Sequence, residues 1–236
     1  MNSKKPYISV IVPAKNEEKY IMNVFRGLKK QSFKDFEVII IDGGSTDNTV
    51  NISKKYAKVI VDKRKGIGRA RNIGAKIAKG KLLVFIDADT MPSKNTLEEY
   101  KNIINDKVVA ATGPILPLEK TNLRITLGFK FVSIFFVKLA IKIGKPSIVG
   151  SNFAISKKAF NKINGFDEKL ITYEDWDLSN RVKKYGKIEF VDDAVVYTST
   201  RRVEKWGISG FFMFHVGNMI RYNLFKKSKD HYEEIR

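Results

Sequence analysis

The 236-residue sequence contains no cysteine. That absence excludes a disulfide framework, a thiolate metal site and a cysteine nucleophile, and it favours an intracellular location. Long hydrophobic runs are missing as well. The longest stretch free of Lys, Arg, Asp and Glu is Trp206 to Ile220, 15 residues, short of the roughly 20 needed to span a bilayer. Ile125 to Ile143 is apolar but interrupted by Lys130, Lys138 and Lys142, so neither stretch reads as a membrane span. Met1 to Tyr7 is short and charged, with no apolar segment behind it, and no signal peptide is expected. Acidic residues are scarce: 25 Asp and Glu against 44 Lys and Arg give a net charge of +19, which implies attraction to phosphate-bearing partners or anionic membranes. The basic residues are scattered along the whole chain, which argues against a nucleic-acid-binding arm or recognition helix.

With 43% hydrophobic and 11% aromatic residues, the chain has the composition of a folded globular protein, long enough for one substantial domain. Tyr7 to Val12, Phe36 to Asp42, Val59 to Asp62 and Leu82 to Asp87 are short, rich in Val and Ile, and predict strands buried on both faces. Between them Asn16 to Lys30, Thr46 to Tyr56 and Gly68 to Ala78 carry helical spacing. This alternation predicts an α/β fold with right-handed crossovers and a mostly parallel central sheet flanked by helices. The second half predicts a strand over Ile148 to Ile155, a helix over Lys157 to Ile163, a helix over Asp175 to Lys184 and a strand over Lys187 to Asp192.

Ligands of parallel sheets bind beyond the C-terminal strand ends. Those ends read Pro13-Ala14-Lys15-Asn16-Glu17, Asp42-Gly43-Gly44-Ser45 and Asp87-Ala88-Asp89, so three polar clusters converge on one edge. Two carboxylates one residue apart would each repel a bound diphosphate by about 4 kcal/mol at ~4 Å and an effective dielectric near 20. A hard cation, Mn²⁺ or Mg²⁺, makes Asp87 and Asp89 compatible with such a ligand. Taken alone, the pair also fits a turn in which Asp89 caps a helix beginning near Ser93. Ser45, Thr46 and Asp47 suit helix capping, whereas Asp42 is placed to accept a hydrogen bond from a base imide or a ribose hydroxyl.

Gly66-Ile67-Gly68-Arg69-Ala70-Arg71 lacks the third glycine of a dinucleotide fingerprint. Arg69, Arg71 and Asn72 are still placed to contact phosphate or ribose, with pairing inside the protein as the equal alternative. Glu174, Asp175 and Asp177 crowd one predicted first turn, as helix-dipole complementarity alone would favour. Glu174-Asp175 beside Trp176 also has the look of a base next to a sugar-stacking ring.

Together these segments resemble the family-2 inverting glycosyltransferases of the GT-A, Rossmann-like fold. The resemblance spans roughly residues 7 to 200. It rests on Val-Ile-Val-Pro-Ala-Lys-Asn-Glu-Glu at 10 to 18, Asp-Gly-Gly-Ser-Thr-Asp at 42 to 47, Ala-Arg-Asn-Ile-Gly-Ala at 70 to 75, Asp-Ala-Asp at 87 to 89, Gly-Ser-Asn at 150 to 152, Gly-Phe-Asp-Glu at 165 to 168 and Glu-Asp-Trp-Asp-Leu at 174 to 178. It implies a nucleotide-sugar donor, UDP- or GDP-linked, with Pro13, Ala14, Asn16, Glu17, Asp42, Arg71 and Asp87 around the nucleotide. It implies Asp87 and Asp89 on the metal, Asp175 as general base, and Glu174 and Trp176 near the acceptor. Gly43 stands where many members have a second Asp. Arg202-Val203-Glu204-Lys205-Trp206 is similar to the family's Gln-x-x-Arg-Trp acceptor loop, and it adds Arg202, Lys205 and Trp206 to the acceptor set.

The expected organisation is a catalytic unit over residues 1–200, with a nucleotide half of about 1–115 and an acceptor half of about 116–200. A helical segment over 201–236 belongs to the same unit and lies near acceptor or membrane. The acceptor would be a glycan hydroxyl or a lipid-linked phosphate, and the location cytoplasmic, with peripheral contact at the inner membrane face through Phe131, Phe135, Phe136 and Leu139 and through Trp206, Phe211, Phe212 and Phe214. Packing of these segments against the core is the competing expectation. Two rival functions fit less of the sequence. A sugar nucleotidyltransferase would carry a glycine-rich loop after the first strand, and a non-catalytic basic module binding membrane or nucleic acid leaves the acidic strand ends unexplained.

Overall fold

The computed structural model describes residues 5–207 together with 210, 213, 217 and 221. The first strands fall where continuous Val and Ile runs predict them: β1 (Ile8–Ala14), β2 (Phe36–Asp42), β3 (Lys58–Val61) and β4 (Leu82–Ile86). They pair in parallel in the order β3-β2-β1-β4. The intervening helices are α1 (Ile21–Lys29), α2 (Thr49–Ser53) and α3 (Ile67–Ile77).

Side chains alternate across the sheet. Ile11, Ile39, Ile41, Leu83 and Phe85 point to one face, where α3 packs. Val10, Val12, Ile40, Val84 and Ile86 point to the other, where α1 packs through Ile21, Val24, Phe25 and Leu28. Every residue of β4 is buried, which is the reason its sequence is an unbroken apolar run instead of an alternating one. Gly74 lets α3 close on β1, because a β-carbon there would strike the Ile11 side chain.

Past β4 the sheet continues with β6 (Val108–Thr112), β8 (Asn152–Ser156) and β9 (Lys187–Phe190), giving the full order β3-β2-β1-β4-β8-β6-β9. Only β8 runs against its neighbours, wedged between β4 and β6. A second, three-stranded sheet combines β5 (Thr90–Pro92), β10 (Val196–Thr198) and β7 (Ile115–Pro117) in the order β5-β10-β7. Asn152, wholly buried, ties the two sheets together: its side-chain amide donates to the Pro114 and Ala194 carbonyls and its oxygen accepts from Tyr100.

Helix α4 (Thr96–Ile103) covers the α1 side of the sheet through Leu97 and Tyr100. It begins three residues later than the sequence suggests, with Asn95 before it, so Asp89 does not cap it. A continuous helical stretch follows: α5 (Leu123–Lys130), a π-helical segment (Phe131–Phe136) and α6 (Val137–Lys142). Helices α7 (Lys157–Lys162) and α8 (Glu174–Val182) pack on the α3 side through Phe160, Leu178 and Val182. Residues 201–207 are helical. Phe211, Phe212 and Phe214 lie outside the described residues.

Candidate active site

The strand order fixes where a ligand can enter. The chain leaves β1 towards β2 and β3 on one side, then returns to place β4 on the other, so the topological switch point lies between β1 and β4. The loops leaving those two strands carry Asn16-Glu17 and Asp87-Ala88-Asp89. The candidate site is therefore dictated by connectivity before any side chain is considered.

The floor of the site is a buried charge network. The Arg71 guanidinium, 1% exposed in the interior of α3, donates to Asp87 Oδ1 at 3.0 Å, Glu174 Oε1 at 2.7 Å and the Gly150 carbonyl at 2.9 Å. Burial alone would lower the affinity of this guanidinium for its proton, but the surrounding carboxylates outweigh it. Gly150 is glycine for a spatial reason: a β-carbon would lie 2.9 Å from Arg71 Nη2. The Gly150 amide in turn donates to Asp175 Oδ2 at 3.0 Å, and Asp175 Oδ1 accepts from the Trp176 amide at 2.7 Å. Arg71 thus links Asp87, at the end of β4, to the acid pair opening α8.

Burial raises the Asp175 carboxyl above the usual aspartate range against the pull of Arg71. Burial and the adjacent Asp175 charge push Glu174 up to about 7. Tyr173, just before them, sits in the left-handed region at φ 70°, a conformation that costs a non-glycine residue about 1–3 kcal/mol and fixes the direction in which the acid pair leaves the loop. Its ring packs against Trp176 with centroids 5.9 Å apart.

A second network joins chain segments far apart in sequence. Arg201 donates to both Glu17 oxygens, at 2.7 and 2.8 Å, and to Asp89 Oδ2 at 2.9 Å, while stacking over Tyr20. All three charged groups are buried. Burial raises the Asp89 carboxyl, Arg201 opposes that, and the like charge of Asp87 adds to it. The other Asp89 oxygen accepts only long contacts, 3.3 Å, from the hydroxyls of Thr90 and Thr198.

The expected residues divide into those that come together and those that turn elsewhere. Asp87, Arg71, Glu174 and Asp175 belong to one hydrogen-bonded group, and Asp89 joins Arg201 and Glu17 in the second. Glu174 is an internal partner of Arg71, buried, while Trp176 is partly exposed beside it. Pro13 and Ala14 close the end of β1. Asn16 accepts from the Thr46 amide and its own amide donates to Ser45, so it braces the loop after β1 against the loop after β2. Asp42 is fully buried, with both oxygens accepting from Gly44 and Ser45. Ser45 and Thr46 therefore cross-link loops instead of capping α2, and Asp47 alone reaches the first amide of that helix. Arg69 pairs with Asp62 and Glu168, and Asn72 bonds the Phe166 backbone, so both act within the protein. Arg202, Lys205 and Trp206 lie on the 201–207 helix, Lys205 exposed and the other two partly so.

Arg201 escaped the sequence reading, which singled out Arg202 from a loop resemblance. Neighbouring residues on a helix point about 100° apart, and two adjacent arginines carry no local sign of which one turns inward.

A family model described as glycosyl transferase family 2 matches residues 9–163, the span that holds every strand-end motif above except the helix α8 acids. The chain belongs to glycosyl transferase family 2. A second model, described as the N-terminal domain of galactosyltransferase, matches residues 130–221. Among relatives of this glycosyltransferase, the poly(ribitol-phosphate) β-N-acetylglucosaminyltransferase TarS of Staphylococcus aureus is 37% identical over 107 residues, which cover 42% of the present chain and 19% of TarS. The crystal structure of TarS residues 1–349 in complex with UDP-GlcNAc superimposes with a TM-score of 0.66 at 25% identity, over 84% of this chain and 59% of that one. A mannosyltransferase from Pyrobaculum calidifontis, solved with GDP-Man and Mn²⁺, shares the fold with a TM-score of 0.67 at 19% identity, over 91% of this chain and 65% of its own. The mostly parallel sheet with helices on both faces is the GT-A fold. The chain spans well under two thirds of the length of TarS.

Proposed function

We propose that the protein transfers a sugar from a UDP- or GDP-sugar to an acceptor hydroxyl or lipid-linked phosphate, in one displacement that inverts the anomeric centre. The observation that carries this reading is the Arg71 network: one buried guanidinium holds the strand-end carboxylate Asp87 and the helix-start pair Glu174-Asp175 in a single rigid arrangement. Groups suited to a leaving diphosphate and a group suited to deprotonating an acceptor are thereby locked at fixed spacing, as proximity catalysis requires. The nucleotide-sugar complex of the related TarS supports the donor class.

In this reading Asp175 accepts the proton of an acceptor hydroxyl as the new glycosidic bond forms. Both its oxygens are held by backbone amides, so it is oriented before the acceptor arrives. Trp176 offers a partly exposed ring for the acceptor, and Arg202, Lys205 and Trp206 form the rim on which a phosphate or a sugar would rest. Pro13, Ala14, Asn16, Glu17 and Asp42 shape the nucleoside end. Asp42 does so through the glycine loop it anchors.

The donor set fits a hard divalent cation. Asp87 is partly open to solvent, and Asp89 keeps one oxygen with only weak contacts. Among the described residues no group of three or more His, Cys, Asp or Glu is arranged to hold an ion. Two carboxylates completed by donor phosphates is the pattern usual for Mg²⁺ and Mn²⁺. When bound, such an ion would stabilise the charge developing on the departing diphosphate. A basic module without catalysis has no use for this crevice, which gathers six carboxyl groups, Glu17, Asp42, Asp87, Asp89, Glu174 and Asp175, in a chain of net charge +19.

Thermal stabilisation by a panel of UDP-, GDP- and dTDP-sugars with Mn²⁺ tests the donor class, since ligand at 100 times Kd adds about 2.7 kcal/mol. Product NMR tests the stereochemistry. No stabilisation by any nucleotide sugar, or retention at the anomeric carbon, would overturn the proposal.

A further inference from the structure

Between Glu119 and Asp167 the sequence carries nine Lys and Arg and not one Asp or Glu. This acid-free segment includes the continuous α5, π and α6 stretch, which docks by one side only. Ser133 donates to the Ile115 carbonyl of β7 at 2.8 Å, Val137 is buried, and Lys138 pairs with Asp192 beyond β9. The opposite side is exposed among the described residues. Leu123, Leu127, Phe131, Phe135, Leu139 and Ile143 form an unbroken i, i+4 row, and all six are at least 41% exposed. Phe131 and Phe135 stack with centroids 5.2 Å apart, so the row is an ordered surface even without a partner.

The π segment bears on this arrangement. On an α-helix an i, i+4 row drifts around the axis by about 40° per step. A π turn, closed by i to i+5 bonds, rotates less per residue and takes back part of that drift over Phe131–Phe136. The row thus stays on one face for the length of the stretch. Arg124, Lys130, Lys142 and Lys145, all exposed, flank it. Four basic side chains within the stretch prevent it from crossing a bilayer, and no helix among the described residues is long and apolar enough to do so. Apolar residues on one face with cations at its margins are what an anionic membrane interface receives from a helix lying in its plane.

We propose that the Leu123–Lys142 helix docks the protein on anionic bilayers, inserting its Phe131-Phe135 row between headgroups while the flanking cations meet lipid phosphates. This docking is independent of the transfer chemistry. Flotation of the full chain with vesicles of phosphatidylcholine, or of phosphatidylcholine mixed with phosphatidylglycerol, tests it. Flotation is expected only with the mixed vesicles at low salt, and it should weaken near 1 M salt, where the Debye length is about 3 Å. The double variant Phe131→Glu/Phe135→Glu should float at least about tenfold less while keeping donor-induced thermal stabilisation. Because the chain has no native cysteine, Phe135→Cys carrying an environment-sensitive dye offers a second readout that leaves the row largely intact. Its emission should shift to the blue on addition of mixed vesicles, and that of Lys54→Cys, on α2's far end, should not. Absence of flotation at low salt, equal flotation of the double variant, or an unshifted dye at position 135 overturns the proposal. So does self-association that depends on Phe131 and Phe135 without vesicle binding, which would assign the face to a second copy of the chain.

Discussion

The crevice at the β1–β4 switch point and the helix Leu123–Lys142 are built on opposite terms. In the crevice, charges are taken out of water and each is given a partner inside the protein: Arg71 serves Asp87 and Glu174, and Arg201 serves Glu17 and Asp89. On the helix, large apolar side chains are left exposed to water among the described residues, and the cations beside them are exposed. Buried charge costs several kcal/mol per ion unless well paired, and an apolar row left in water forgoes about 25 cal/mol for each Å² it could bury. In the proposed reading the crevice serves an anionic ligand with a cation, and the helix an extended surface.

The contrast can be broken at either end. The largest effect is expected from Arg71→Met, which strands two carboxylates and should cost about 3–5 kcal/mol in urea unfolding. Adding Glu174→Gln should recover part of that loss. A single-variant cost below about 1 kcal/mol would mean that the network does not organise the site. Asp175→Asn should leave fold and donor binding intact but lower turnover on a hydroxyl acceptor by at least about 10². Normal turnover would remove Asp175 from the role of base. Calorimetry of UDP and GDP with and without Mn²⁺ should show Asp89→Ala losing metal-dependent affinity at least about tenfold, with Asp87→Ala weakened less. Unchanged affinity in Asp89→Ala would cancel the metal assignment.

Acidity separates stability from catalysis. Glu174 binds its proton more tightly folded than unfolded, from an ordinary value of 4.5 to about 7, through burial and the charge of Asp175 and against Arg71, which also holds Asp87. A raised carboxyl gives the folded state more bound protons inside this window. Stability relative to Glu174→Gln should therefore rise as pH falls from 7 to 4.5, by no more than about 1 kcal/mol per pH unit. Turnover should fall as acid protonates Asp175, whose carboxyl burial raises above the ordinary aspartate value. If the two moved together, the acid pair would not titrate as a buried unit. The smallest effect belongs to the helix: Phe135→Ser should change stability by no more than about 0.5 kcal/mol, whereas Phe85→Ala, in the core between Phe153 and Phe166, should cost about 3–5 kcal/mol.

What could be read from the sequence follows the same division. Strands β1, β2 and β4 were legible because burial on both faces forces unbroken apolar runs, and the acids ending them stood out against those runs. Strands β5, β7 and β10 are three residues each, too short for any period to show. Asp87, Asp175 and Arg71 were legible as candidates, but not that Arg71 joins Asp87 to the acid pair, because it lies at 103 residues' distance from Glu174 and only the packing of α3 on the sheet brings it there. Asp42 and Asn16 were legible as polar strand ends. That they hold loops in place, through amides of Gly44, Ser45 and Thr46, depends on turn geometry that composition does not specify. Periodicity marked the 125–143 segment as apolar and basic at once, yet which side faces the protein is decided by Ser133 and Val137, two unremarkable residues in sequence.

The clasp of Arg201 on Glu17 and Asp89 also sets an order of events during synthesis. Arg201 follows Glu17 by 184 residues and Asp89 by 112. At about 5–20 residues per second, a ribosome exposes both acids for several seconds before Arg201 has been made. Sheet strands β1 to β4 are complete by then, and their apolar faces can already collapse on α1 and α3. The edge at the β1–β4 switch point cannot close in the same way, since the clasp that holds Glu17 and Asp89 together is still missing. A nascent chain therefore carries a finished sheet with an unfinished mouth, and chaperones or an early nucleotide would meet it in that form.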